Sequence, residues 1–370
     1  MPRAHVKKCL HMHDKTILIT GGTGSFGRAF TDYVLQAYRV KKIIILSRDE
    51  YLQHEMSESI NDPRGRLRFF IGDIRDVDKR RFRDVDYVVH AAALKRIGTV
   101  EYNPIEAVQT NVVGTMNMIQ VCQDLPNVEK AVFLSTDKAV MPVNLYGFTK
   151  GTAESLWLDA NYYKPIFSVT RYGNVMGSRG SVLPKWRKML AEGATSLPIT
   201  DLKMTRFWTT MQEAVDLVCT ALEGASGYTY VPKSPAFALT DLAKSLYQRI
   251  GLDEVGIRSG EKLHEMLIHE YEVFRTVTKQ GYYLITPGRE YVEREEPKPT
   301  LTRPITSEVA AIALAHDDPR KSDVLSQKQI RDLLAGIKEE PKKEPEETFS
   351  KIKTTPVHSE AEEVPEEEIF

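Results

Sequence analysis

The chain has 370 residues, an apolar fraction of 42% and a formal charge of -1, enough for a substantial core in about two or three domains. It holds no apolar run of membrane-spanning length, and its start lacks the basic-then-apolar order of a secretory signal, so a cytoplasmic protein with no membrane insertion is expected. Cys9, Cys122 and Cys219 are too far apart for a disulfide framework or a Cys-x-x-Cys site, and no His/Cys/Asp/Glu cluster has metal-ligand spacing.

Charge is unevenly spread. Residues 339–370 carry eleven acidic and four basic side chains, leaving the rest at +6. A positive body suits a phosphate-bearing small ligand without implying nucleic acid. The Pro- and Glu-rich stretch 336–370 reads as a disordered acidic tail, either solvating or partner-binding. At the other end, His11-Met12-His13 reads as part of a flexible leader over residues 1–13, with Met12 a candidate natural start, rather than as a metal site.

From residue 14 the pattern becomes regular. Short β-branched runs at 16–20, 42–46, 67–71, 86–90, 131–134 and 166–171 alternate with mixed segments, of which 105–122 and 147–162 have helical period. This order predicts an α/β fold with a doubly wound parallel sheet. The first strand runs into Thr20-Gly21-Gly22-Thr23-Gly24-Ser25-Phe26-Gly27 and then a helical segment. Gly21 permits a tight turn, Gly24 lets a pyrophosphate approach backbone N–H groups, and Gly27 allows close helix–strand packing, the signature of a Rossmann-type dinucleotide site. The second strand ends in Ser47-Arg48-Asp49. Arg48 suits a ribose 2′-phosphate, which favours NADP, while Asp49 keeps NAD open. Asp73, with Ile74 beside it, is placed to meet the adenine or to cap a helix. Ala91 and Ala92 leave room at the end of the fourth strand, and Lys95 faces the cleft or solvent.

The fifth strand leads into Ser135-Thr136-Asp137-Lys138-Ala139, and Tyr146 and Lys150 follow one helical turn apart. A neighbouring ammonium lowers a phenol pKa, and moving it from about 10 to about 7 takes about 4 kcal/mol. Tyr146 then removes a sugar hydroxyl proton, Thr136 donates to the same oxygen, and Lys150 holds the nicotinamide ribose. Those groups alone describe a dehydrogenase or an epimerase. Asp137 and Lys138 add an elimination: once C4 is a ketone, Lys138 takes the acidified C5 proton and Asp137 assists departure of the C6 hydroxyl. That division of labour expects surroundings that push both groups toward neutrality; a plain Asp–Lys salt bridge is the alternative.

Residues 14–173 thus read as the NADP-binding domain. Residues 174–335 read as a smaller substrate-binding lobe with fewer strands, helices at 211–222, 240–249 and 325–334, and one late strand returned to the sheet. A cleft between the lobes is the expected site, and Gly177 to Gly180 offers a closing segment. Asn174, Arg206 and Arg258 are candidates for pairing with a phosphate-bearing ligand, and Glu261 for accepting a hydrogen bond from it. His264 reads as a packing residue.

The runs at 135–139, 144–150, 171–175, 177–182, 204–208 and 260–265 together resemble the UDP-N-acetylglucosamine 4,6-dehydratases that invert C5, in the extended short-chain dehydrogenase/reductase superfamily. The resemblance covers about residues 14–335. It implies catalytic roles for Thr136, Asp137, Lys138, Tyr146 and Lys150, an NADP cofactor, a UDP-sugar substrate and homo-oligomeric assembly, with a hexamer the form the family suggests. It also implies a first step toward pseudaminic acid and related surface sugars. Retaining dehydratases commonly carry Asp-Glu where this chain has Asp137-Lys138, so the lysine favours inversion. Arg96-Ile97-Gly98, in place of a frequent His-Val-Pro, and Phe148, in place of a small residue, depart from the pattern and bear on substrate fit. A retaining dehydratase, a UDP-sugar 4-epimerase and a cofactor-binding interaction protein are the competing readings.

Overall fold

The computed structural model describes residues 10–178, 180–224, 227–287 and 325–335. The six early runs form β1 (Thr16–Thr20), β2 (Lys42–Ser47), β3 (Leu67–Ile71), β4 (Tyr87–His90), β5 (Lys130–Thr136) and β6 (Ile166–Tyr172). They lie parallel in the order β3-β2-β1-β4-β5-β6. Both β1 and β4 are buried throughout, as strands covered on two faces must be. Because the strand order reverses between β1 and β4, a crevice opens beyond their carboxyl ends, where ligands of such sheets bind.

Helices α1 (Ser25–Ala37), α2 (Glu50–Ser59), α3 (Ile97–Tyr102), α4 (Pro104–Val108), α5 (Gly114–Asp124) and α6 (Leu145–Asp159) connect these strands. The single helix expected over 105–122 is interrupted: Gln109–Val113 forms a π-helical turn between α4 and α5. That turn has a job. Asn111 inside it binds Leu94 N–H at 2.8 Å and Leu94 C=O at 2.9 Å, and reaches Thr149 Oγ1 at 3.0 Å, fastening the loop after β4 to α6.

The later chain differs most from expectation. Instead of few strands and one return, it supplies seven short ones: β7 (Ser196–Ile199), β8 (Thr205–Phe207), β9 (Thr229–Pro232), β10 (Ala236–Ala238), β11 (Gly251–Glu254), β12 (Thr276–Thr278) and β13 (Tyr282–Ile285). Three of them rejoin the main sheet, β9 parallel to β6 and then β13 and β12 antiparallel, making nine strands. Segments of three or four residues are too short to show a two-residue period, so pattern reading passes over them.

Helices α7 (Val182–Ala191), α8 (Met211–Glu223), α9 (Leu239–Leu246), α10 (Glu270–Val273) and α11 (Gln327–Ala335) complete the described elements. The chain returns to the sheet for α8 as well, since Val215, Val218 and Leu222 join Phe30 and Val34 of α1 in one core cluster, while α5 and α6 cover the opposite face. The smaller lobe has its own core around Trp186, Trp208 and Phe237, into which α11 sends Ile330 and Leu334. The leader boundary drawn at residue 13 moves back: Leu10–Met12 is a 3-10 turn and Met12 is fully buried in the core. Residues 1–9 and the tail 336–370 lie outside the described residues.

Candidate active site

The glycine turn and β4 build the first wall. Gly21 has φ +64°, and a Cβ there would lie 2.7 Å from Ala92 Cα, so only glycine lets the turn meet the Ala91–Ala92 backbone. Ala91 N–H donates to Thr20 C=O at 3.2 Å, and Ala92 N–H to Thr20 Oγ1 at 3.3 Å. Gly24 precedes α1 without a side-chain cap, so no cap from Gly24 occupies the N–H groups of the first turn, from Ser25 and Phe26 onward, the arrangement that suits an anion. Thr23 is buried and its carbonyl accepts from Arg28 Nε at 3.2 Å. Phe26 also packs against the core and stacks on Phe30.

At the tip of β2, Ser47 is held by Gln53 and Asp49 caps α2 by accepting from Leu52 N–H at 2.9 Å. Arg48 stands half exposed, 3.6 Å from Asp73 and 3.5 Å from Glu106. Asp73 itself accepts from Arg75 at 2.6 Å and 3.0 Å; despite the opposing effect of burial, these bonds hold its carboxyl below the usual range. Ile74 turns into the core, where Gly114 leaves room for it. The cradle residues therefore converge around the ends of β1, β2 and β4.

The second wall is the end of β5. Thr136 caps a 3-10 turn, Asp137–Ala139, and Asn144 caps α6 by accepting from Gly147 N–H at 2.7 Å. These two caps bring Asp137, Lys138 and Tyr146 together. Asp137 is fully buried; its Oδ1 accepts from Thr136 Oγ1 at 2.9 Å and from Lys138 Nζ at 3.0 Å. Its Oδ2 is buried with no hydrogen-bond partner among the described residues, the condition expected of an atom that meets a ligand. Lys138 Nζ also donates to Asn174 Oδ1 at 3.0 Å and lies 3.5 Å from Glu265 Oε1.

Two electrostatic expectations need correction. Burial works against the Lys138 ammonium, but Asp137 and Glu265 outweigh it and hold this lysine above its ordinary range rather than near neutrality. Burial also pushes the Tyr146 phenol up, to about 12. The groups opposing that rise are the Lys138 ammonium and the Thr136 hydroxyl, not Lys150. Lys150 is turned aside: its Nζ donates to Leu134 C=O at 2.6 Å and lies 3.7 Å from the centre of the Phe133 ring. Burial lowers its pKa to about 7, with Glu154 resisting.

On the substrate side the predicted residues divide. Asn174 touches Lys138, and Arg206, itself buried, acts on both Lys138 and Glu265 while donating to Thr205 C=O at 2.7 Å and Leu263 C=O at 3.1 Å. Arg258 is exposed and lies 3.8 Å from Glu261. Their loop is tied to the start of α6 by Asn144 Nδ2, which donates to Gly260 C=O at 2.6 Å. Glu261 Oε2 is another buried oxygen without a hydrogen-bond partner among the described residues. Lys95 is exposed beyond β4. His264 Nδ1 meets Thr205 Oγ1 at 2.7 Å, tying its segment to β8.

Sequence reasoning gave no role to Glu265, Asn111 or Arg171. Arg171, at the end of β6, binds Glu154 of α6, Glu272 of α10 at 2.7 Å and Leu267 C=O at 3.0 Å, and so anchors the segment that carries Glu265. A polar residue at a buried position of a helical period was the available signal for Asn111; Glu265 and Arg171 are linked by contacts across the chain that have no local signature. A cavity of about 270 Å³ lies beside Arg171, Glu154 and Glu272 and is lined by none of Thr136, Asp137, Lys138 or Tyr146. The reaction centre is placed by side-chain chemistry instead.

Comparison with known proteins agrees with this architecture. The family model for polysaccharide biosynthesis proteins matches residues 17–287. The inverting UDP-N-acetylglucosamine 4,6-dehydratase of Campylobacter jejuni is 46% identical over 288 residues, 76% of this chain and 85% of that protein. A UDP-glucose 4-epimerase of Rickettsia akari is 41% identical over 286 residues, 74% of this chain and 83% of that protein. Among solved structures, Pen from Bacillus thuringiensis is 33% identical with a TM-score of 0.74, covering 88% of this chain and 99% of its own.

Proposed function

The chain belongs to the polysaccharide biosynthesis protein family, and from that premise we propose that it is a UDP-N-acetylglucosamine 4,6-dehydratase that inverts C5, with NADP as cofactor. The observation that carries this reading is the Asp137–Lys138 pair beside Tyr146. A 4-epimerase has no need of an acid and a base at C5 and C6, and here Asp137 keeps a buried oxygen unpartnered.

The glycine turn fits a pyrophosphate, because Gly21 lets it pack on the Ala91–Ala92 backbone and the start of α1 carries no side-chain cap on its N–H groups. NADP is favoured over NAD because Asp49 is committed to the α2 cap while Arg48 stays half exposed. When bound, the nicotinamide supplies a two-electron oxidation at C4 and the matching reduction at C6.

The residues of the chain do the rest. Tyr146 takes the proton of the C4 hydroxyl, and the Thr136 hydroxyl, turning its hydrogen away from Asp137 Oδ1, donates to the same oxygen. A proton moving from Lys138 to Asp137 along their 3.0 Å hydrogen bond makes a neutral amine and a neutral carboxylic acid at once, with no change of net charge. Lys138 then accepts the C5 proton as the C5–H electron pair forms the C5–C6 double bond. The C6–O bond breaks, and Asp137 gives its proton to the departing hydroxyl, which leaves as water. One proton shift thus supplies both neutral groups, although its counter-ions hold Lys138 above the ordinary lysine range at rest. Reprotonation of C5 from the opposite face completes the inversion. Asn174, Arg206, Arg258, Glu261 and Lys95 are assigned to the UDP-sugar on charge and position, with Lys150 on the nicotinamide ribose.

We place the protein in the cytoplasm, as one early step toward pseudaminic acid or a related surface sugar; no described helix is long and apolar enough to cross a membrane. Assembly as a homo-oligomer is supported by Tyr102 and Ile105, apolar side chains 91% and 78% exposed on adjoining helices. Incubation with UDP-N-acetylglucosamine in deuterated water, read by NMR, tests the reading. The expected product is the 4-keto-6-deoxy-L-arabino sugar with deuterium at an inverted C5; simple interconversion at C4 makes the chain an epimerase.

A further inference from the structure

Glu265 sits 4% exposed on the segment between β11 and α10, far in sequence from Lys138. Among the described residues its charged neighbours are Lys138, Arg206 and Lys262. One oxygen lies 3.5 Å from Lys138 Nζ and the other 2.8 Å from Lys262 Nζ, while Lys262 also donates to Val140 C=O at 2.9 Å. The segment is fixed from behind, since Leu267 C=O and Glu272 are both held by Arg171. A carboxylate has thus been delivered across the fold to a lysine that already has Asp137 as counter-ion. Removing two charges from water is costly, and a third is costlier unless its position is used.

We propose that Glu265 is a positioning residue for the C5 proton transfer: as a fixed second counter-ion it holds the Lys138 amine in line with Asp137 and sets the pH below which the Asp137–Lys138 pair takes up a second proton and can no longer make the free amine by its internal shift. The proposal rests on the dehydratase reading above. The charged groups around the pair are few. Glu265 faces Lys138 from the turn after β5, Arg206 from β8 and Lys262 from its own segment, while Lys138 faces Asp137, Asn174 and Tyr146. Burial opposes its charge, yet the three cations around Glu265 keep it ionised, below the usual carboxylate range, so its negative charge is present throughout the working pH range.

The sign of the effect follows. A nearby carboxylate stabilises every protonated form of the Asp137–Lys138 pair, so removing it lets the pair shed its second proton at lower pH and lowers the pH at which the lysine itself deprotonates to solvent. In Glu265→Gln, which keeps shape and loses charge, the acid limb of the kcat profile moves to lower pH by about one unit or more, with KM within about twofold because the side chain faces the two lysines and not the sugar. Lys262→Met, which removes a cation that offsets Glu265, moves the limb the other way. Glu265→Asp restores the limb toward the unmodified position even where turnover falls. A readout independent of turnover is the pH dependence of Lys138 acetylation by acetic anhydride, followed by peptide mass spectrometry. Glu265→Gln moves its midpoint down and Lys262→Met moves it up.

An acid limb and a labelling midpoint unmoved in both variants overturn the proposal, as does a tenfold rise in KM with the limb unchanged, which makes Glu265 a substrate contact. If Glu265→Gln does not fold, Glu265→Asp and Lys262→Met still decide. Product identity from the unsubstituted chain separates the two failures. An epimerised product removes the dehydratase reading, whereas a C5-inverted product with unmoved limbs removes only the role of Glu265.

Discussion

Lys138 and Lys150 stand twelve residues apart in the same site, the first partly buried and the second buried, and the fold moves their pKa values in opposite directions. Around Lys150 there are a backbone carbonyl, the face of Phe133 and a carboxylate one turn away, and burial prevails, taking the amine to about 7. Around Lys138 there are two carboxylates and an amide oxygen, and the counter-ions prevail. Depth of burial does not fix the charge of a lysine; the acceptors that the fold places within about 4 Å do. The lysine whose ammonium is disfavoured by burial lies against β5, and the one whose counter-ions favour its ammonium lies 3.0 Å from the carboxyl group proposed to receive its proton.

Substitutions sharpen the contrast. The largest effect is expected at Lys138→Ala, where turnover falls by about a thousandfold, within the range for loss of a positioned acid or base, while cofactor titration by fluorescence is unchanged. A loss below tenfold, or a lost cofactor site, breaks the distinction between the two lysines. Arg171→Met tests the anchor behind Lys138. Leaving Glu154 and Glu272 buried without their cation costs about 3–5 kcal/mol, read as a lowered midpoint in urea unfolding.

Lys150 makes a prediction about stability and pH. Its folded pKa, about 7, lies below the ordinary 10.5, so between those values the unfolded chain binds the extra proton and stability rises with pH. Lys150→Met removes that slope, and denaturant unfolding from pH 7 to 10 compares the two chains. An equal slope in both contradicts the neutral-lysine account. The smallest effect is at the cradle rim: Arg48→Ala lowers affinity for NADP about tenfold or more, as loss of a charge-assisted bond does, and leaves NAD affinity within about twofold.

The same contrast explains what the sequence made visible. The cradle and Tyr146–Lys150 are local patterns: a strand, a glycine turn and a helix start within a dozen residues, and two side chains one turn apart. Asp137 and Lys138 could be identified as a pair because they are adjacent. Their electrostatics could not, because Glu265, Arg206 and Asn174 arrive from separate elements more than thirty residues away. The expectation that Lys150 acts on Tyr146 followed from helical spacing alone and missed the Leu134 carbonyl that turns the amine aside. In the same way the strands of β1 to β6 are legible as apolar runs, whereas β9, β12 and β13 are three- or four-residue segments recognised only by their neighbours in the sheet.

Removal of the C5 proton by Lys138 is proposed as a step separate from oxidation at C4. Lys138→Ala incubated with cofactor and UDP-N-acetylglucosamine in deuterated water tests it most directly, with reduced cofactor followed by absorbance and C5 by NMR. The account predicts that the cofactor becomes reduced while C5 keeps its original hydrogen. Deuterium entering C5 at the unsubstituted rate contradicts it.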